Sequence, residues 1–118
     1  MKGIIFIAHG SKKEKSNNEF LKLIENISKK DSTYDLKKAA FLEAAEPNID
    51  SCVEEFIKVG AKEIYLYPFF LNSGKHVLID LPETLKRLEK NYPKIEFTLF
   101  DHFGKSSGIE EIILKDIS

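Results

Sequence analysis

Apolar side chains along this chain follow two rhythms. Short dense runs rich in β-branched and aromatic residues, Lys2 to Ala8, Tyr34 to Leu42, Lys62 to Phe70 and Ile95 to Phe100, read as strands. Between them, apolar residues recur at three- and four-residue spacing. Phe20, Leu21, Leu23, Ile24 and Ile27 do so within Lys13 to Lys30, and Ile49, Cys52, Val53, Phe56 and Ile57 do so up to Gly60. Leu81, Leu85 and Leu88 follow within Leu81 to Asn91, and a last such pattern runs from Gly108 to Ile117. This spacing predicts four amphipathic helices, with Pro47 an early residue of the second, Gly60 its stop and Pro68 the end of a strand. The predicted order is βαβαβαβα. Strands separated by helices require right-handed crossovers, so the expected fold is a three-layer αβα domain around a small four-stranded parallel sheet covered on both faces.

The chain has 118 residues and no internal repeat, low-complexity tract or Pro/Gly/Ser linker, so residues 1–118 are read as a single domain. Eighteen Lys plus Arg against 19 Asp plus Glu leave a formal net charge of -1. No basic excess points to nucleic acid or to an anionic membrane. The longest apolar runs fall far short of the roughly 18–20 residues a membrane span needs, and Met1-Lys2-Gly3 leads straight into a strand without a signal-peptide pattern. A cytoplasmic protein with no nucleic-acid or membrane partner is expected. The single cysteine, Cys52, allows no internal disulfide and no cysteine-based metal site, so any metal must be held by His, Asp or Glu.

Ligands of open α/β sheets bind beyond the carboxyl ends of the strands. The residues predicted there are His9-Gly10-Ser11, then Glu43 and Glu46, then Asn72-Ser73-Gly74-Lys75-His76 with Asp80, then Asp101-His102. All three histidines of the chain lie on this edge. His9 either points its imidazole into the crevice or merely bonds a turn. Ser11 either N-caps the first helix or meets a ligand. Glu43 directly follows an apolar strand, and if partly buried it would serve as a proton acceptor near neutral pH; Glu46 suits a helix N-terminus. The segment Leu71 to Asp80 reads as a flexible polar loop that offers His76 as a second ligand. Two neutral imidazoles with a carboxylate and open positions describe a reactive site for Co, Ni, Fe or Zn better than a closed structural one. His102 is a peripheral candidate, with Asp101 able to orient it. No phosphate-binding glycine motif, nucleophile elbow or H-E-x-x-H helix is present, and no arginine accompanies the His-Gly pair, which disfavours a phosphate-handling hydrolase.

Three motifs in order, Ile7-Ala8-His9-Gly10-Ser11, then Ala40-Phe41-Leu42-Glu43 with Glu46-Pro47, then Tyr67-Pro68-Phe69-Phe70-Leu71 running into Gly74-Lys75-His76-Val77 and Asp80-Leu81-Pro82, give the chain a family likeness. It resembles the small class II chelatases, the sirohydrochlorin cobaltochelatases of the CbiX type and their ferro- and nickel-chelatase relatives. The resemblance implies insertion of a divalent metal ion into sirohydrochlorin in cobalamin- or sirohaem-type tetrapyrrole synthesis. The metal is a substrate, Co²⁺ first and Ni²⁺ or Fe²⁺ as alternatives, and no organic cofactor is implied. Histidines matching His9 and His76 hold the metal, and the acidic residue matching Glu43 assists. Longer members carry two such halves facing one cleft, so the likeness implies a homodimer. Phe103-Gly104 matches the family's closing turn, but Lys105-Ser106-Ser107 stands where a further histidine is often seen. The macrocycle bears many carboxylates, for which Ser11, Lys12, Ser73 and Lys75, with the amides of the first two helices, are candidate anchors. Phe69-Phe70 is placed either to pack on the ring or to fill the strand-end core. The competing reading is a non-catalytic protein that binds or delivers divalent metal with the same histidines.

Overall fold

The computed structural model describes residues 1–118. Four strands, β1 (Lys2–Ala8), β2 (Leu36–Phe41), β3 (Glu63–Pro68) and β4 (Glu96–Leu99), alternate with α1 (Glu14–Lys30), α2 (Ile49–Lys58), α3 (Leu81–Asn91) and α4 (Ile109–Ile117). All strand pairs are parallel and the order is β2-β1-β3-β4. The expected four-stranded α/β fold is present, and no helix is long and apolar enough to cross a membrane.

Side-chain alternation along the strands divides the interior in two. Ile5, Ile7, Ala40, Ile64, Leu66 and Phe97 face α2 and α3, which supply Ile49, Cys52, Val53, Phe56, Leu81 and Leu88 to one continuous core. On the opposite face Ala39 and Phe41 meet Phe20 and Ile24 of α1 in a smaller cluster. That second layer is incomplete. α1 lies over β2, while no residue of α4 is buried and α4 packs extensively on no other element of the chain.

Several local expectations are corrected. Pro47 lies outside α2: it follows a cis peptide bond from Glu46, and α2 begins at Ile49 with the Asn48 side chain accepting from Ser51 N at 2.8 Å. Ser11 is not the N-cap of α1, because the helix begins three residues later. Its hydroxyl instead accepts from Lys13 N at 3.0 Å, and Asn17 clamps its backbone on both sides. The segment Leu71–Asp80 is only half a loop. Residues His76–Asp80 form a π-helical turn that runs directly into α3, because Val77 and Leu78 already bond back to Gly74 O.

Candidate metal centre

Three chain reversals at the carboxyl edge of the sheet bring the site together. The ladder between β1 and β2 continues past both strands, with Leu42 N donating to Ala8 O at 2.9 Å and Glu43 N donating to His9 O at 3.0 Å. His9 and Glu43 are thereby locked side by side. Gly10 makes this possible: its φ is +95°, and a Cβ built there would stand 1.9 Å from Glu43 O. Only a residue without a side chain allows β1 to turn away so close to the end of β2. Ala44, next to Glu43, has a φ of 63°, in the left-handed region that non-glycine residues rarely adopt.

β3 delivers the third candidate ligand. Phe69 N donates to Ile7 O at 2.7 Å, so the chain leaves β3 beside His9, and the π turn then swings His76 back over it. The two imidazoles lie 4.3 Å apart between ring centroids. Phe70 stacks on the His76 ring at 6.1 Å, and Gly104 locks the outer part of the loop: its N–H donates to Phe70 O at 3.0 Å, and a Cβ there would meet Leu71 O at 1.6 Å.

His9, Glu43 and His76 offer one ligand atom each, all within 4.8 Å of one another. Of the chain's His, Cys, Asp and Glu residues, this is the one set of three or more so gathered. His9 Nε2 sits against Glu43 Oε1 in a short contact. His76 Nδ1 is engaged by Asp80 Oδ2 at 2.7 Å, one helical turn on, which leaves Nε2 as the nitrogen of His76 free to bind an ion. A carboxylate behind a ligating histidine fixes ring tautomer and orientation. The site is open: the side chains of His9, Glu43 and His76 are 45%, 60% and 37% accessible. Glu43 does not meet the condition of partial burial, and its carboxylate is available to solvent.

Of the remaining candidates, Lys12, Ser73 and Lys75 lie exposed on loops flanking the triad and take part in no side-chain hydrogen bond or ion pair. Glu46 accepts from Asn48 N at 3.1 Å and so belongs to the entry of α2. Asp101 does not orient His102; its nearest charged neighbour is Lys105 at 4.0 Å, and His102 is outside the ligand cluster. Phe69 stacks between Phe20 and Phe103 at 5.4 Å from each, so it fills the sheet edge. Two features went unassigned in the sequence. Asp80 stood on the edge without a role, although its i,i+4 spacing from His76 on one helical turn was a readable signal. Leu71, Leu78 and Ile79, exposed by 62%, 66% and 49%, give the segment that carries His76 an apolar surface.

Comparison with known proteins places the chain in a family. The CbiX family model matches residues 3–118. The sirohydrochlorin ferrochelatase of Priestia megaterium is 28% identical over 118 residues, covering 100% of this chain and 44% of that protein. The sirohydrochlorin cobaltochelatase of Methanocaldococcus jannaschii is 32% identical over 92 residues, covering 78% of this chain and 64% of that protein. The crystal structure of the CbiX protein from Marinobacter aquaeolei VT8 superposes with a TM-score of 0.88 at 27% identity, covering 99% of this chain and 94% of that one. The chain thus spans about half the length of the first of these relatives and nearly all of the last.

Proposed function

The chain belongs to the CbiX family, and on that premise we propose that it is a chelatase that inserts a divalent metal ion into sirohydrochlorin, a step of tetrapyrrole biosynthesis. The observation that carries this reading is the cluster of two imidazoles and one carboxylate within 4.8 Å at an open sheet edge. Relatives named for iron and for cobalt both match, so the choice of metal is proposed separately: Co²⁺ first, with Ni²⁺ and Fe²⁺ as alternatives. Neutral imidazoles accept all three ions, and selection among them follows geometry and supply.

His9 and His76 hold the ion through ring nitrogens and leave most of its coordination positions free for the pyrrole nitrogens. Insertion exchanges one M²⁺ for two N–H protons, so charge balances only if a base removes them. Glu43 is that base: its oxygen lies against His9 Nε2, next to where the ion would be held, and its exposure lets it pass each proton to water. The loops carrying Lys12, Ser73 and Lys75, with Ser11 at the first turn, flank the triad where the macrocycle's carboxylates would lie. The exposed Leu71, Leu78 and Ile79 offer an apolar surface to the flat ring. A half-site of this kind is completed by a second copy of the chain facing it across the macrocycle.

The test is absorbance of sirohydrochlorin mixed with the protein and Co²⁺, Ni²⁺ or Fe²⁺ in turn, against the rate without protein. Acceleration that His9→Ala and His76→Ala each abolish, with the far-UV spectrum unchanged, is the expected result. Metal binding without acceleration for any of the three ions would replace this reading with that of a metal-binding or delivery protein.

A further inference from the structure

Three of the four strands lead into a member of the triad: β1 into His9, β2 into Glu43 and β3, by way of its loop, into His76. β4 leads into none. Asp101 and His102 follow it, and neither belongs to the ligand cluster. What β4 supplies instead is the 3-10 turn Phe103–Lys105, which packs against the stretch that carries His76.

That stretch has almost no hydrogen bonds of its own. Phe69 N still bonds Ile7 O, and Gly74 O accepts from Val77 and Leu78, but between them a single backbone hydrogen bond holds residues 70–73. It runs from Gly104 N to Phe70 O at 3.0 Å. Gly104 is fitted closely to this contact. A Cβ built there would stand 1.6 Å from Leu71 O, 2.6 Å from the Leu71 carbonyl carbon and 3.1 Å from Leu71 Cα, all backbone atoms that no rotamer change can clear. Gly104 is not among the residues of positive φ, so space alone requires glycine here, unlike at Gly10.

Two aromatic contacts extend the bracket in both directions. Phe103 stacks on Phe69 at 5.4 Å, and Phe69 meets Phe20 of α1 at 5.4 Å, which seats the turn on the body of the domain. The β3–β4 ladder also runs on toward the turn, with Phe100 N donating to Leu66 O at 2.9 Å. At the other end, Phe70 stacks on the His76 ring at 6.1 Å. His76 is thus tied to a firm strand edge through Phe70 and Gly104.

We propose that the turn Phe103–Lys105 positions His76, and that Gly104 is a positioning residue for metal insertion although it touches no ligand. This rests on the chelatase reading and adds to it the strand that sets the spacing of the two imidazoles. The tolerance is small. The triad's ligand atoms lie within 4.8 Å of one another, and two metal–nitrogen bonds of about 2.1 Å span about 4.2 Å at most. Ordinary contact begins at 3.4 Å, so a side chain at Gly104 drives Leu71 O back by well over 1 Å, and the Phe70 stack carries part of that shift to His76. His9 stays where β1 and β2 hold it, so the pair opens.

The experiment compares the full chain with Gly104→Ala and with Gly108→Ala, a glycine of the same segment whose Cβ comes no nearer than 4.0 Å to Ser106 Oγ. With Co²⁺ as the probe, Gly104→Ala is expected to lose about 10–100-fold in affinity and to raise the KM for the metal while the KM for sirohydrochlorin holds; Gly108→Ala keeps all three. A general loss of structure would move both KM values together. The unmodified protein supplies a second measurement, because coupling between two positions is reciprocal: saturating Co²⁺ should slow hydrogen exchange at the Gly104 amide. A folded Gly104→Ala with undiminished Co²⁺ affinity overturns the proposal, and so does exchange at Gly104 that Co²⁺ leaves unchanged. If Gly104→Ala does not fold, the exchange measurement decides. Co²⁺ binding without accelerated metallation overturns the chelatase reading and leaves Gly104 to be judged on affinity and exchange; an unmodified chain that binds no Co²⁺ overturns both.

Discussion

Gly10 and Gly60 share a backbone conformation, with φ of +95° and +103°, but differ in what surrounds them, and replacing each by alanine separates strain from crowding. At Gly60 a Cβ meets nothing within 4 Å, so Gly60→Ala pays only for a positive φ, about 1–2 kcal/mol. At Gly10 the same strain is joined by a Cβ 1.9 Å from Glu43 O, where an ordinary contact needs well over 3 Å. The end of β2 must then retreat by more than 1 Å, breaking the bonds from Leu42 N to Ala8 O and from Glu43 N to His9 O. Each is worth about 1 kcal/mol net, so Gly10→Ala is expected to cost about 3–4 kcal/mol in urea unfolding, roughly twice Gly60→Ala. The displacement falls on the triad itself. A shift of about 1 Å in a reacting group costs on the order of 100-fold in rate, so Gly10→Ala should lose metallation and Co²⁺ affinity even where it remains folded, while Gly60→Ala keeps both. Equal stability losses in the two variants, or normal Co²⁺ binding by folded Gly10→Ala, would refute the claim that the close approach of β1 and β2 builds the site.

Other consequences of the geometry are as direct. Asp80→Asn removes the charge behind His76 Nδ1 without disturbing a core residue, and Co²⁺ titration should show a loss of about 10–100-fold in affinity at unchanged thermal stability. His102→Ala should leave that titration untouched, since His102 is outside the ligand cluster. Burial pushes the Cys52 thiol up to about 11 from an ordinary 9.0. The unfolded chain therefore ionises first as pH rises, so this group's contribution, on the order of 2 kcal/mol, is intact below pH 9 and is lost between about pH 9 and 11. Denaturation at pH 8 and 10.5 should show that loss in the native protein and much less of it in Cys52→Ala. Alkylation of the folded protein at neutral pH should be slow.

The gathering of His9, Glu43 and His76 was legible because parallel topology does most of the placing. Once Lys2–Ala8 and Leu36–Phe41 pair in register, His9 and Glu43 must emerge together, whatever the sequence separation. Pro68 marked the end of β3 for the equally local reason that it has no N–H to give the ladder. The misreadings lie where the chain solves a local problem by tertiary means. Ser11 has cap chemistry, but the turn demanded by Gly10 delays α1 to Glu14 and leaves Ser11 capping the turn instead. Pro47 looks like a helix start, yet it serves to bend the β2–α2 connection back, with its carbonyl accepting from Phe41 N at 2.9 Å. The π turn at His76–Asp80 has no periodicity of its own, so a segment of five residues between Gly74 and α3 reads as loop. The apolar stripe of α4 was visible, but an amphipathic pattern says that a helix needs a partner and not which surface supplies it.

The openness of the triad follows from the same topology and decides what chemistry it suits. A metal held by two imidazoles at the rim of a sheet keeps most of its ligands exchangeable, which is poor design for storing an ion and good design for surrendering one. The carboxylate lies against one imidazole instead of completing a cage, so it is free to work as a base once the ion moves. Asp80 restrains His76, whereas His9 has only Glu43, whose own proton traffic would loosen it. The two imidazoles are thus unequal: Asp80 holds His76 from behind, whereas Glu43 alone meets His9. On the proposed function, capture by both would be followed by approach of the ring over the apolar surface at Leu78 and Ile79, proton transfer to Glu43, and departure of the ion from His9 before His76.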